Sequence, residues 1–357
     1  MPDVNVLNAA NRPVLTQGIV AIYDEVIRIK PTSALRALFK PKLSKLALPT
    51  VAVRRGTEQL APDVVLGSKG NRVQLTNATY KTYQPFYFAQ TVDLVGLQAY
   101  QVLFSSQSWS ENDGVSFLQE FRVALETAKD QIERTVEYWC SQILETGTFT
   151  SFVSGTQVNF GRLAGSMVDL GAGNYWAATG TNPYKDLENG CVWIRQYGKR
   201  SDSQFNALFG QQAWNDFITN STVMGRQMPY QMKLDDIVAP NRLGDGSSYM
   251  GTITAGSYTI HCWTYPQFFD MPGTNVKTAY WPTTKVVIFP PDPDFELISA
   301  AVPQLPVGGT NSLVVDNYVM KEYINEYDVI HEMKVESRPI PVPIAIDTMY
   351  TITAVAS

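Results

Sequence analysis

Cysteine and charged residues are scarce in this 357-residue chain, and each shortage excludes a class of protein. The three cysteines, Cys140, Cys191 and Cys262, lie far apart without a C-x-x-C spacing. This pattern excludes a disulfide framework and a zinc ribbon, and it favours a reducing compartment. Asp, Glu, Lys and Arg together make up 17% of the residues, whereas a typical soluble domain carries roughly 25%. The exterior must therefore be unusually poor in charge.

Sequence signatures of catalysis are missing as well. The chain contains neither a phosphate-binding loop nor a G-x-S-x-G nucleophile motif. His261 stands beside Cys262 in a β-like stretch, so their side chains point to opposite faces and cannot share a metal or a substrate. The carboxylates of Asp235, Asp236 and residues 290–294 lack a metal-loop spacing and are typical of solvated turns. We therefore expect no catalytic residue, cofactor, metal site or enzymatic activity.

Long apolar runs are also absent. No segment approaches ~18 uninterrupted apolar residues, the length that a membrane helix needs. The first residues, Met1 to Asn5, lack the basic start and apolar stretch of a signal peptide. We therefore expect no membrane contact, and a protein that stays in the cytosol or leaves by lysis.

Aromatic residues, by contrast, are plentiful, with 18 Tyr, 16 Phe and 7 Trp. Interface cores are depleted in charge and enriched in aromatics, so this composition favours an assembly subunit.

Charge is also unevenly distributed along the chain, because residues 1–75 hold eleven Lys or Arg against five Asp or Glu, and residues 76–357 hold seventeen against twenty-eight. A basic region lying on an acidic neighbour would fix the orientation of subunits. Contact of the basic region with nucleic acid is the alternative.

The N-terminal quarter of the chain is predicted to be extended. Residues 1–49 form an arm in which Ser33 is a candidate cap for a short helix from Ala34 to Phe39. Residues 50–95 alternate β-branched residues with turns, and the glycines of the 67–71 segment can supply positive φ for a hairpin turn. Both segments have too little apolar surface to be stable alone, so we expect them to lie on a neighbour.

The strongest local signal is an amphipathic helix from about residue 115 to residue 145. Apolar residues recur there at spacings of three and four and form one stripe: Leu118, Phe121, Leu125, Ala128, Ile132, Val136, Trp139 and Ile143. A second hairpin is predicted around Ser154 and Gly155. A further amphipathic helix is predicted to begin at Asp202 or Ser203 and to carry Phe205, Leu208, Phe209, Ala213, Phe217 and Ile218.

Several segments, taken in order, resemble the lambda-type major capsid protein family of tailed bacteriophages. The segments are Thr82–Tyr87, Ile132–Arg134 with Glu137, Leu144–Thr148, Asn159–Arg162, Trp176, Asn182–Glu188 and Val335–Pro343. Relatives usually carry Asp-Phe-Gly-Arg where this chain has Asn159-Phe160-Gly161-Arg162. The resemblance extends from about residue 80 to the C-terminus and rests on the shared order of the segments.

This resemblance implies an α+β chain with the Hong Kong 97-like capsid fold. The implied parts are an N-terminal arm (1–49), an extended β-loop (50–95), a peripheral domain with a long spine helix (96–188 and 310–345) and an axial domain (189–309 and 346–357). It also implies a major capsid protein that assembles as hexamers and pentamers into the icosahedral head around double-stranded DNA.

The implied partners are other copies of the chain, a portal, a separate scaffolding protein and a decoration or cement protein. Non-specific contact with packaged DNA is implied as well, as is a place in the virion after assembly in the host cytoplasm. Arg54, Arg55, Lys69 and Arg72 on the β-loop are candidate intersubunit contacts. Simple solubility charges are the alternative for these four, because exposed ion pairs contribute only ~0–1 kcal/mol.

Two other functions stay open at this point. One is another phage structural protein, such as a tail-tube or decoration protein. The long helix argues against it, because those proteins are typically smaller and mostly β. The other is a carbohydrate-binding or hydrolytic protein, which the many Tyr and Trp residues would suit. The lack of a recognisable pair of acidic residues argues against this second function.

Overall fold

The computed structural model of the chain describes residues 21–22, 25–26, 33–54, 78–93, 111–227, 241–242, 246–274, 276–304, 312–325 and 330–356. The α-helices with defined bounds in these ranges are α1 (Ala34–Ala37), α2 (Glu111–Thr146), α3 (Pro183–Tyr197), α4 (Gln211–Thr219) and α5 (Ser221–Gln227). Short 3-10 turns lie at Ala164–Ser166 and Ile346–Thr348. Within the described ranges, no helix is long and apolar enough to cross a membrane.

Most other regular structure is strand. The strands are β1 (Lys40–Ser44), β2 (Thr50–Arg54), β3 (Ala78–Thr82), β4 (Phe88–Asp93), β5 (Thr148–Thr150), β6 (Gln157–Asn159), β7 (Met167–Asp169), β8 (Gln204–Phe209), β9 (Asn241–Arg242), β10 (Ser248–Ala255), β11 (Tyr258–Thr264), β12 (Phe268–Asp270), β13 (Lys277–Ala279), β14 (Lys285–Phe289), β15 (Phe295–Ala300), β16 (Val302–Gln304), β17 (Ser312–Val314), β18 (Val319–Asn325), β19 (Ile330–Ser337), β20 (Pro339–Pro343) and β21 (Tyr350–Thr353). The largest sheet has the order β7-β21-β14-β8-β11-β10-β9. Two three-stranded sheets have the orders β1-β15-β20 and β18-β19-β4, and four pairs are β2-β3, β5-β6, β12-β13 and β16-β17.

Helix α2 is the long helix that the apolar spacing predicts, and it extends beyond both predicted ends. Its apolar face is buried in two successive environments. Phe121 and Leu125 pack with Met333 and Val335 of the β18-β19-β4 sheet. The second half of the helix, including Trp139, belongs to the largest core cluster. A helix 36 residues long therefore connects two separately packed regions of the subunit.

The second amphipathic helix begins later than the predicted start at Asp202 or Ser203. Residues 204–209 instead form β8, which lies between β14 and β11 in the seven-stranded sheet. Its apolar side chains are buried on both faces, because Phe205 and Phe209 belong to one core cluster and Leu208 to another. A strand covered on both faces has a nearly continuous apolar run, which periodicity cannot distinguish from a helix segment. Helix α4 starts only after this strand, at Gln211.

All three cysteines are free and buried in the core. Burial raises the pKa of the Cys191 thiol to about 12 and raises the pKa values of Cys140 and Cys262 above their ordinary range. Because the thiolate is the reactive form, we expect Ellman's reagent to label none of them in the native chain and all three after denaturation in urea. Rapid labelling of the native chain would contradict this burial.

Candidate assembly surface

His261 and Cys262, which the sequence offers as possible catalytic residues, lie in surroundings typical of structural residues. The Nδ1 atom of His261 lies 3.1 Å from Thr252 Oγ1 at the half-buried surface of the sheet, while the neighbouring Cys262 is fully buried. This arrangement agrees with the predicted opposite orientation of the two side chains. Among the described residues, no group of three or more His, Cys, Asp or Glu side chains could hold a metal ion.

The N-terminal segment of residues 33–39 is fastened to α2 by a buried carboxylate. Glu137, which is 1% exposed, accepts the backbone N–H of Leu35 at Oε1 (2.9 Å) and that of Arg36 at Oε2 (2.7 Å). These are the two amides that an N-cap side chain would bind. Ser33 makes no capping hydrogen bond, so the predicted Ser33 cap is wrong. The Glu137 carboxyl group takes its place by accepting both N–H groups, and α1 ends at Ala37.

Two further residues of α2 extend this attachment, and we call Arg36, Lys129, Glu133 and Glu137 the anchor cluster. The Arg36 guanidinium lies 3.0 Å from Glu133 Oε1, and Lys129 Nζ donates to the carbonyl of Val26 at 2.7 Å. Lys129, Glu133 and Glu137 are spaced four residues apart, so they lie on one face over successive helical turns. Desolvation raises the pKa of Glu137 and lowers the pKa of Lys129. The cluster therefore holds Val26, Leu35 and Arg36 against α2 of the same subunit, so this part of the arm lies on its own subunit instead of on a neighbour.

Strand β1 continues the N-terminal segment and is joined to β15 by ion pairs as well as by parallel pairing. Lys42 Nζ lies 2.8 Å from Glu296, and Lys40 Nζ lies 2.8 Å from Asp292. Hydrogen bonding and attraction to Lys40 lower the pKa of the Asp292 carboxyl. Asp292, predicted to be a solvated turn residue, thus remains exposed but has a cation beside it.

The extended hairpin begins at β2 and returns at β3, and its base is packed on the body of the subunit. The two strands pair antiparallel from Thr50 opposite Thr82 to Arg54 opposite Ala78. Below them the Tyr83 ring lies 5.2 Å from the Phe160 ring. Of the four predicted contact residues, Arg54 ends β2, whereas Arg55, Lys69 and Arg72 lie outside the described residues.

Exposed leucines lie in and just after β1, a feature that the sequence did not lead us to expect. Leu43, Leu46 and Leu48 are 50% or more exposed. Two of them, Leu43 and Leu46, line a groove of ≈ 750 Å³ beside the hairpin base at Val51. The sequence offered one signal of this exposed surface, namely leucines in a segment that lacks the periodicity of a helix or a strand. Exposed apolar side chains beside a groove are typical of sites of protein contact.

Arg162 joins the end of α2 to the last strand, β21. Its guanidinium donates to the carbonyls of Leu144 (2.9 Å) and Glu145 (3.2 Å) and to Thr351 Oγ1 (2.9 Å), and it also binds Ser166 Oγ (2.8 Å). The helix carbonyls are among the groups that a C-terminus leaves unpaired. Arg162 is 8% exposed. Its buried side chain, which lies in a segment that carries the family resemblance, therefore fixes the C-terminal end of α2.

The chain matches one family profile over most of its length, and solved structures resemble it in fold. The sequence profile of the family described as phage major capsid protein E matches residues 26–354. Curated protein sequences give no match. A solved structure described as a prophage capsid protein of E. coli CFT073 has a TM-score of 0.62 at 12% identity, covering 94% of this chain and 99% of that one. A phage-related protein of Bordetella bronchiseptica RB50 has a TM-score of 0.51 at 12% identity, covering 96% of both chains.

Proposed function

The chain belongs to the phage major capsid protein E family, and on this basis we propose that its copies assemble as hexamers and pentamers into an icosahedral head around double-stranded DNA. The match over residues 26–354 carries the proposal. The predicted α+β, Hong Kong 97-like capsid fold and the predicted role as a tailed-phage major capsid protein are confirmed. The family is one of structural proteins, in line with the expected lack of enzymatic activity.

The domain division is part of the proposal. The arm is assigned to residues 1–49, the β-loop to 50–95, the peripheral domain to 96–188 and 310–345, and the axial domain to 189–309 and 346–357. The packing of α2 on the β18-β19-β4 sheet supports a peripheral unit. A separate core cluster on the seven-stranded sheet supports an axial unit, and Trp176, Tyr184 and Leu187 at the end of the peripheral range also belong to this cluster.

The proposed mechanism is assembly through apolar burial, without bond chemistry. Each copy places its β-loop on a neighbour, and the exposed leucines after β1 lie where the loop leaves the subunit. Burial stabilises such contacts by ~25 cal/mol per Å² of apolar surface, less the cost of ordering the loops. Head-to-tail contacts that close by rotation form rings. The anchor cluster already holds part of the arm in place, which lowers the entropy cost of ordering the arm when copies assemble.

The remaining partners and the location follow from the capsid role. The protein is a component of the virion, and we assign its assembly to the host cytoplasm. A portal, a separate scaffolding protein and a decoration protein are proposed as protein partners. Packaged DNA is proposed to touch the shell without sequence specificity, because pI ≈ 5.2 does not suit a base-reading protein.

Size-exclusion chromatography followed by negative-stain microscopy tests the proposed function. We expect the purified chain, expressed with its scaffolding protein, to elute far ahead of 39.7 kDa and to contain closed shells. A well-behaved monomer under these conditions would contradict the capsid assembly. Binding of that monomer to immobilised glycans would favour the carbohydrate-binding alternative.

Reversing the loop charges tests the four candidate contacts. We expect the combined Arg54→Glu, Arg55→Glu, Lys69→Glu and Arg72→Glu variant to give at least tenfold fewer shells, because like charges then face the acidic part of a neighbour. The far-ultraviolet circular dichroism should stay unchanged. The matched control reverses the exposed cations Lys185 and Arg195 of α3 and should assemble normally. Normal yields from the loop variant would favour the solubility alternative.

A further inference from the structure

Two short hairpins stand side by side on α2, one on each side of Tyr138. In the β5-β6 hairpin, the Phe152 ring stacks on Tyr138 at a centroid distance of 5.4 Å. In the β12-β13 hairpin, the Phe269 ring lies 4.8 Å from the same Tyr138 ring. Gln142 donates from Nε2 to the Tyr138 hydroxyl (2.9 Å) and accepts the N–H of Thr150 (3.2 Å). Ring contacts and hydrogen bonds thus hold both hairpins in place.

A groove of ≈ 410 Å³ lies between these hairpins. Its apolar lining is provided by Tyr138, Phe152, Phe269 and Pro272, and its polar lining includes Arg134 and Asp270, one charge of each sign. The volume is roughly fourteen times that of a water molecule in the liquid, which is enough for a branched apolar side chain and its surroundings. The three rings and Pro272 therefore offer an apolar side chain a surface to pack on.

Such an insert is present on the tip of the β5-β6 hairpin. Val153 is 99% exposed, so it does not fill the groove of its own subunit. The tip is a defined turn, because Ser151 N–H bonds to Thr156 O at 3.0 Å and Gly155 N–H bonds to Ser151 O at 3.1 Å. No Asp, Glu, Lys or Arg occurs between residues 147 and 161. Inserting this tip into a protein surface would desolvate no charge of the tip itself.

We propose that Val153 of one copy inserts into the Tyr138 groove of a neighbouring copy. Preorganisation of both halves lowers the ordering cost of the contact. The inference rests on the proposed function, because it requires copies that assemble.

Site-directed cross-linking of two single-cysteine additions tests the contact. One preparation carries Val153→Cys at the tip, and another carries Gln131→Cys in the groove lining. Mixed copies are assembled, treated with a short bis-maleimide and separated on a reducing denaturing gel. The native cysteines are buried and do not compete for the reagent. We expect a band of dimer mass from the mixed shells and none from shells of either variant alone.

The controls separate this contact from the alternatives. Replacing the groove partner by Thr127→Cys, which is exposed on α2 outside the groove, should abolish the dimer band. A dimer band from Val153→Cys shells alone would indicate contact between two tips and would overturn the proposal. A mixed shell without a dimer band would overturn it as well.

A charge at the tip separates failure of this contact from failure of the proposed function. We expect Val153→Asp to reduce shell yield more than tenfold, and Val153→Ala to reduce it less, with circular dichroism unchanged in both. Normal shells from Val153→Asp would refute the contact and leave the capsid function intact. Lack of shells from the wild-type chain would refute the capsid function itself.

Discussion

Replacement of Arg162 by alanine is expected to lower the free energy of unfolding by about 3–5 kcal/mol. The substitution leaves the carbonyls of Leu144 and Glu145 and the hydroxyl of Thr351 without their guanidinium partner. These acceptors lie at the junction of α2 with β21, where water has little access because Arg162 is 8% exposed. The end of α2 should therefore become the weakest point of the subunit.

Urea unfolding of the unassembled chain at a fixed concentration measures this loss. Arg162→Lys keeps the charge but lacks the planar fork of donors, so it should recover only part of the stability. Arg195→Ala is the matched control, since Arg195 is exposed on α3, and it should change the free energy of unfolding by less than about 1 kcal/mol. An Arg162→Ala variant as stable as the control would show that the buried network contributes nothing.

Replacement of Glu137 by leucine is expected to release the N-terminal segment without unfolding the body. Leucine preserves the helix propensity and much of the volume, but it leaves the N–H groups of Leu35 and Arg36 without acceptors. Tyr265, which also hydrogen-bonds to this carboxylate, loses the same partner. Orphaned buried donors of this kind cost about 2–4 kcal/mol in total.

Hydrogen exchange of the two amides measures the release directly. At ~1.4 kcal/mol per tenfold, we expect Leu35 and Arg36 to exchange at least about 30 times faster in Glu137→Leu. The control is Glu126→Leu, because Glu126 pairs with Arg122 at 3.0 Å where both side chains are 40% exposed. In the Glu126→Leu control, the amides of Leu35 and Arg36 should exchange at the wild-type rate. Unchanged exchange in Glu137→Leu would mean that other contacts hold the segment.

Local periodicity was sufficient to predict some elements and insufficient for others. The helix α2 was predictable because one buried face repeats over many turns. The strand β8 was missed because burial on both faces removes the alternation that identifies a strand. Gly210 was the overlooked signal of the boundary, since a Cβ at this position would lie 2.2 Å from the Pro282 carbonyl oxygen.

The attachments made by Glu137 and Arg162 could not be predicted, because they join residues that are distant in the sequence. Glu137 caps α1 across 102 residues, and Arg162 reaches Thr351 across 189. Both residues stand in segments that carry the family resemblance, but their local sequence is equally compatible with exposed charges. Only the folded arrangement shows that Glu137 replaces Ser33 as the cap.

A cryo-electron microscopy reconstruction of the assembled particle tests most directly whether the subunit completes its apolar surface on its neighbours. We expect a closed shell in which residues 55–77 of each subunit cross the boundary and lie on an adjacent subunit. The exposed leucines Leu43, Leu46 and Leu48 should be covered there by protein. A particle in which this segment folds back over its own subunit, with those leucines left in solvent, would contradict the proposed assembly.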